Sequence, residues 1–285
     1  VTALPPPPIP REHGAWAMLY APLVLGLAIF GAPHALDGTL LVLAATAAYM
    51  GQNAARLLEK RRRPPGLMAW IAIFSALTLG AAGALVLWLG HWDLVTVGAL
   101  GTAVFAAFWL AKTQARRRSL PMELAVVAAL GLTGPAAVAV GQGGLVRDAW
   151  LLWLATTAFF WSSVFYVRMI FVVGRAAKQG ADVQGLRRAA RFSLRYHLGL
   201  AGAVLAASVL VAALAVGPEG GRAGLGAGLL LAAAYAPAVV RGVRAAWRPT
   251  GELPSLVRVG VLEAVSTTWF VVLLVTAAHL AGAAA

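Results

Sequence analysis

Nine apolar runs separated by short polar intervals set the pattern of this chain. They fall near 15–33, 37–58, 66–90, 92–111, 121–142, 149–173, 192–216, 222–240 and 255–281. Each is close to the roughly 20 residues that a helix needs to cross the hydrocarbon core of a bilayer. Backbone groups in lipid must be satisfied within their own segment, so each run is predicted to be an α-helix. Proline marks several borders: Pro64 and Pro65 precede the third run, Pro121 opens the fifth, and Pro254 precedes the ninth. A first helical turn accepts proline, because the N–H it lacks has no intrahelical partner there.

Composition turns these helices into membrane helices. The chain is 61% hydrophobic and 12% charged, with a mean hydropathy of +0.81. A soluble domain carries about 25% charged residues. The reading is therefore an all-α integral membrane protein of about nine transmembrane helices. The net charge of +13 does not point to nucleic acid, because most basic residues fall in the intervals between apolar runs. The absence of cysteine excludes disulfides, cysteine-zinc sites and thiol catalysis. The opening "VTALPPPPIP" has neither the basic start nor the apolar stretch of a signal peptide. Its prolines predict a disordered polyproline II arm over 1–10, followed by a single polytopic domain over 11–285.

Charge placement gives an orientation. Of the 23 Lys and Arg residues, all but Arg147 and Arg222 fall ahead of the first run, in alternate intervals, or toward the run ends that border those intervals. The positive-inside rule then puts the amino terminus and those intervals in the cytoplasm, and the carboxyl terminus outside.

Polar residues inside or bordering the runs are the functional candidates. Arg11, Glu12 and His13 stand at the mouth of the first run, with Trp16 just inside it. Tyr49, Gln52, Asn53, Arg56, Glu59 and Lys60 share one face of the second helix by their spacing. They read as a polar pocket or as a snorkelling helix end. Ser162, Ser163, Tyr166 and Arg168 lie within the sixth run. Arg187 or Arg188, Arg191 and Arg195 form a stripe at helical spacing that reads as an interfacial helix for anionic head groups. Tyr196 and His197, at the entry to the seventh run, are placed to face a cavity. Glu263 is the one carboxylate well inside a run, with Ser266 and Thr267 on its face. It calls for an Arg or hydroxyl partner on a neighbouring helix, or for a proton or ligand role. Of the five histidines only His13 and His197 fall on the cytoplasmic side. Two histidines on one side suit haem or a metal, but their spacing does not demand either, and no metal site is assigned.

The segments "HGAWAMLYAPLVLG", "FYVRMI" and "RVGVLEAVSTTWFVVLL" resemble the YwiC-like family of bacterial membrane proteins, which places the chain in a bacterial cytoplasmic membrane. The helix order, together with "RRRPPGLMAWIAIFSALTLG" and "FWLAKTQARRRSLPMELAVVAALGLTGP", is similar to the UbiA superfamily of membrane prenyltransferases. That resemblance implies a UbiA-like bundle with its amino terminus in the cytoplasm. It also implies two Asp-rich motifs that hold Mg²⁺ and a prenyl diphosphate. The first would fall on "QNAARLLEKRRR", where Asn53 matches but the Asp positions are unmet, with Arg56 and Glu59 nearby. The second would fall on "FYVRMIFVVGRAAKQGAD", where no acid precedes Asp182. Arg56 and Arg168 stand where the carboxylates would be.

Arginine can hold phosphate or carboxylate directly through its planar fork of donors. The expectation is a cationic, cytoplasm-facing pocket for an anionic isoprenoid, lipid or quinone-type amphiphile. Its candidate residues are His13, Trp16, Gln52, Asn53, Arg56, Lys112, Tyr166, Arg168, His197 and Glu263. The alternatives are a small-solute transporter working through Glu263, or a cofactor-handling or assembly factor for respiratory enzymes. Whether the chain catalyses a reaction, which cofactor it uses and its oligomeric state stay open on sequence.

Overall fold

The computed structural model describes residues 5–10, 13–59, 65–114, 119–214, 220–250 and 254–282. Among these residues there are ten α-helices and no strand. They are α1 (His13–Phe30), α2 (Ala35–Glu59), α3 (Leu67–Gly83), α4 (Asp93–Gln114), α5 (Leu120–Gly131), α6 (Thr133–Gln142), α7 (Arg147–Lys178), α8 (Val183–Leu214), α9 (Gly220–Trp247) and α10 (Leu256–Gly282).

Each apolar run corresponds to one rod, with two local departures. The fifth run is broken into α5 and α6 at Leu132, whose N–H bonds the Ala129 carbonyl at 3.2 Å. Pro135 has no N–H to offer the carbonyl of Gly131, so the α-ladder cannot run unbroken through this point. The third run ends in a π-helical turn, Ala84–Trp88. Among the described residues, six stretches are long and apolar enough to cross a membrane: Leu67–Trp88, Leu120–Gln142, Arg147–Lys178, Val183–Leu214, Arg222–Trp247 and Val257–Gly282. Gly14–Phe30 and Asp93–Ala107 are shorter apolar helices. The chain is a multi-pass membrane protein.

The helices form two compact units. The first comprises α1 to α4, the end of α5, α6 and the start of α7. The second comprises the start of α5, the rest of α7, and α8 to α10.

In the first unit α2 packs on α3, and α1 on α6. Its core gathers Leu23, Leu85, Ala137 and Val140, all essentially excluded from solvent. The α1–α6 approach is set by missing side chains. A Cβ on Gly26 would lie 2.5 Å from the Ala137 Cβ, and one on Gly141 would lie 2.6 Å from the Gly31 carbonyl oxygen. Small residues let membrane helices meet at this distance. Pro22 inside α1 loosens the ladder, and the Thr133 hydroxyl donates to the nearby Leu19 carbonyl at 2.7 Å.

In the second unit α9 packs between α8 and α10. The buried positions of α8 are Leu186, Ala190, Ser193, His197, Leu200, Val204 and Ser208. Steps of three and four put them on one stripe. Arg187, Arg188, Arg191 and Arg195 are all exposed. The sequence reading made this basic stripe a separate interfacial helix. It is instead the first turns of α8, joined without a break to the spanning part. Asp182 caps that start, its Oδ1 accepting the Gly185 N–H at 2.8 Å.

Candidate functional site

The second unit holds a polar network within its apolar helices. Ser163 on α7 donates its hydroxyl to Glu263 Oε2 on α10 at 2.5 Å. Arg241 on α9 places Nη2 2.7 Å from Glu263 Oε1, an ion pair not angled as a hydrogen bond. The Arg241 Cζ lies 4.4 Å from the centroid of the Tyr166 ring, so the ring face meets the cation. The two charged side chains are 14% and 18% exposed, which makes each dependent on the other for charge balance. Ser266 and Thr267, one turn along α10 from Glu263, are also buried.

The other candidates of this unit have partners of their own. Arg168 Nη1 donates to Glu123 Oε2 on α5 at 3.1 Å, and both side chains are about a third exposed or more. His197 is fully buried in mid-helix rather than at a helix entry. Its Nδ1 lies 2.8 Å from the Ser193 carbonyl oxygen, which makes Nδ1 the protonated nitrogen. Its imidazole lies over Gly242 so closely that a Cβ there would overlap the ring. The Tyr196 hydroxyl donates to the Ala158 carbonyl at 2.7 Å.

Toward the end of α9, Val239, Val240, Val243, Arg244, Trp247 and Arg248 line an open groove of about 440 Å³. Arg244 and Arg248, four residues apart, share a helix face. Both are exposed and neither has an ion-pair partner among the described residues.

The first unit arranges its candidates around the proline arm. Trp16 stacks on Tyr20, with centroids 5.8 Å apart, and meets the edge of Tyr49 at 4.8 Å. Its Nε1 donates to the Pro10 carbonyl at 3.3 Å. Asn53 Nδ2 donates to Pro8 at 2.7 Å, and Trp70 Nε1 to Pro5 at 2.9 Å. Residues 5–10 are thus held, where the sequence suggested a disordered arm. Gln52 and Arg56 are half-buried on α2. The side chains of His13, Glu59 and Lys112 lie outside the described residues.

Sequence reasoning missed Arg241, Glu123 and Trp70. Arg241 was assigned to a basic interval because the eighth run stops at 240, yet "AVVRGVRAAW" continues the helical pattern around it. Among the described residues, no group of three or more His, Cys, Asp or Glu side chains is placed to hold a metal ion.

Residues 9–138 match the family model of YwiC-like protein, so this stretch, a little under half of the chain, is similar to that family. The match ends before Arg168, Arg241 and Glu263. Neither the curated proteins nor the solved structures gave a match to the chain.

Proposed function

We propose that this protein sits in the bacterial cytoplasmic membrane with its amino terminus inside, and binds an anionic amphiphile there. The amphiphile is an isoprenoid or lipid held at basic helix ends by arginine rather than by carboxylate-bound Mg²⁺. A UbiA-type helix order accords with the nine apolar runs and the placement of the basic residues. The observation that carries the reading is the α9 groove, where Arg244 and Arg248, without ion-pair partners among the described residues, line the wall together with Val239, Val240, Val243 and an exposed Trp247. That combination suits a headgroup anion above an alkyl chain, with the indole at the interface. Arg168 is a weaker contributor than its position implied, because Glu123 already answers its charge. Gln52, Asn53 and Arg56, with His13 and Lys112, remain candidates on the first unit.

Mass spectrometry of gently solubilised protein tests this directly. Wild type should carry a stoichiometric anionic amphiphile, and the double substitution Arg244→Ala/Arg248→Ala should lose it while Arg168→Ala keeps it. Bulk phospholipid alone on all three proteins would sink the proposal.

A second reading has its own observation. The Ser163–Glu263–Arg241 network is the type of intramembrane charge that marks proton and ion pathways. Under that reading the protein is a proton-coupled transporter of a small solute. Proton uptake into proteoliposomes should then vanish in Glu263→Gln, and equal uptake in both proteins removes this alternative.

A further inference from the structure

Residues 5–10 read Pro-Pro-Pro-Pro-Ile-Pro. Only Ile9 has a backbone N–H, and it is used locally, donating to the Pro7 carbonyl at 2.9 Å. The rest of the segment can offer only acceptors. The Ile9–Pro7 bond closes a tight turn at Pro8, and the carbonyls of Pro5 and Pro8 both face the helices. The first unit meets them with two side-chain donors, Trp70 Nε1 and Asn53 Nδ2, and meets Pro10 with a third, Trp16 Nε1. Pro10 is buried. Pro5, Pro6 and Pro8 line a pocket with Pro65, Leu67 and Trp70. Indole rings whose N–H groups meet proline carbonyls form the chemistry by which proline-rich segments are recognised.

We propose that α1, α2 and α3 form a polyproline-binding surface which the chain fills with its own arm, and that the docked arm is a removable lid. The donors it takes, Asn53 and Trp16, are among those that an arriving phosphate or carbonyl oxygen would use. The lid therefore gives way when an anionic headgroup arrives. This last step rests on the amphiphile reading above, taken at its first-unit candidates Gln52, Asn53 and Arg56 rather than at the α9 groove.

Main-chain carbonyls survive any substitution in the arm, so the test goes through the donors. Ile9 supplies the reporter, because its amide is the only exchangeable one between residues 5 and 10. Hydrogen exchange at Ile9 is followed in full-length protein in nanodiscs of phosphatidylcholine, with and without phosphatidylglycerol. The variants are wild type and Asn53→Ala/Trp70→Phe. Losing two hydrogen bonds should speed exchange roughly tenfold, and phosphatidylglycerol should speed it in wild type but not in the variant. A single cysteine at Pro10→Cys, in a chain with no other thiol, gives a second readout by maleimide labelling. Faster exchange in the variant without a phosphatidylglycerol effect overturns the lid and leaves a fixed clamp. No change in either comparison overturns the docking surface itself. The amphiphile reading is judged separately, at Arg244 and Arg248, so its failure is distinguishable from that of the lid.

Discussion

In the first unit α1 reaches α6 because Gly26, Gly134 and Gly141 put no side chain between the two backbones. In the second, α7, α9 and α10 are tied by a hydroxyl, a guanidinium and a carboxylate. Lipid gives no hydrophobic drive for one helix to prefer another over a tail, so both units need a different cohesive force. Close van der Waals approach serves the first. It is tolerant of chemistry and intolerant of volume. Charge pairing serves the second, and there the tolerance reverses: shape can vary, but neither partner can be lost alone.

That contrast predicts a graded series. The largest effect is expected from Glu263→Leu, which strands Arg241 among apolar helices and should cost about 3–5 kcal/mol. Adding Arg241→Met should restore most of it, and thermal unfolding in detergent measures both. If the single and double variants melt together, pairing does not hold these helices. Next comes Gly141→Ala, whose new methyl meets the main-chain carbonyls of Phe30 and Gly31. Overpacking of this kind should cost about 1–3 kcal/mol, with the loss read in the same unfolding assay. Gly242→Ala should cost a comparable amount, because the His197 ring it meets is fully buried and moves aside only by giving up its bond to the Ser193 carbonyl. His197→Ala in that background should recover part of the loss, a coupling that a double-mutant cycle reads directly. Smallest is Arg168→Ala. Its ion pair with Glu123 is partly exposed, and such pairs contribute about 1 kcal/mol or less. A larger drop in stability would mean that this pair belongs with the buried network.

Much of the helical layout was legible because apolar runs and lipid-spanning helices are the same physical object. The first run, at 15–33, and α1, His13–Phe30, differ only at their ends. The reading faltered where a helix continues past its apolar stretch. α8 begins at Val183 because one stripe of small and apolar residues persists under the arginines, a period-3.6 signal that average hydropathy does not register. Arg241 was misplaced for the same reason. The need for a partner at Glu263 was visible from its depth alone, and an Arg or a hydroxyl was expected. Both arrived, from α9 and α7, yet which helices supply them is a tertiary fact that spacing along α10 cannot hold. The arm was expected to be disordered from its prolines alone, whereas its carbonyls find donors because the surface supplies indoles and an amide.

The lengths of α7 and α8 carry one more consequence. Each has 32 residues, or about 48 Å of helix at 1.5 Å per residue. The bilayer core takes up about 30 Å. The surplus is not slack, because Val173, Leu186, Ala190 and Ala246 clamp α7, α8 and α9 together at that end. The result is a stiff post, studded on one side by Arg187, Arg188, Arg191 and Arg195. Its charges are carried at a fixed height by helices anchored in the membrane, so a thicker or thinner bilayer would raise or lower the whole row together.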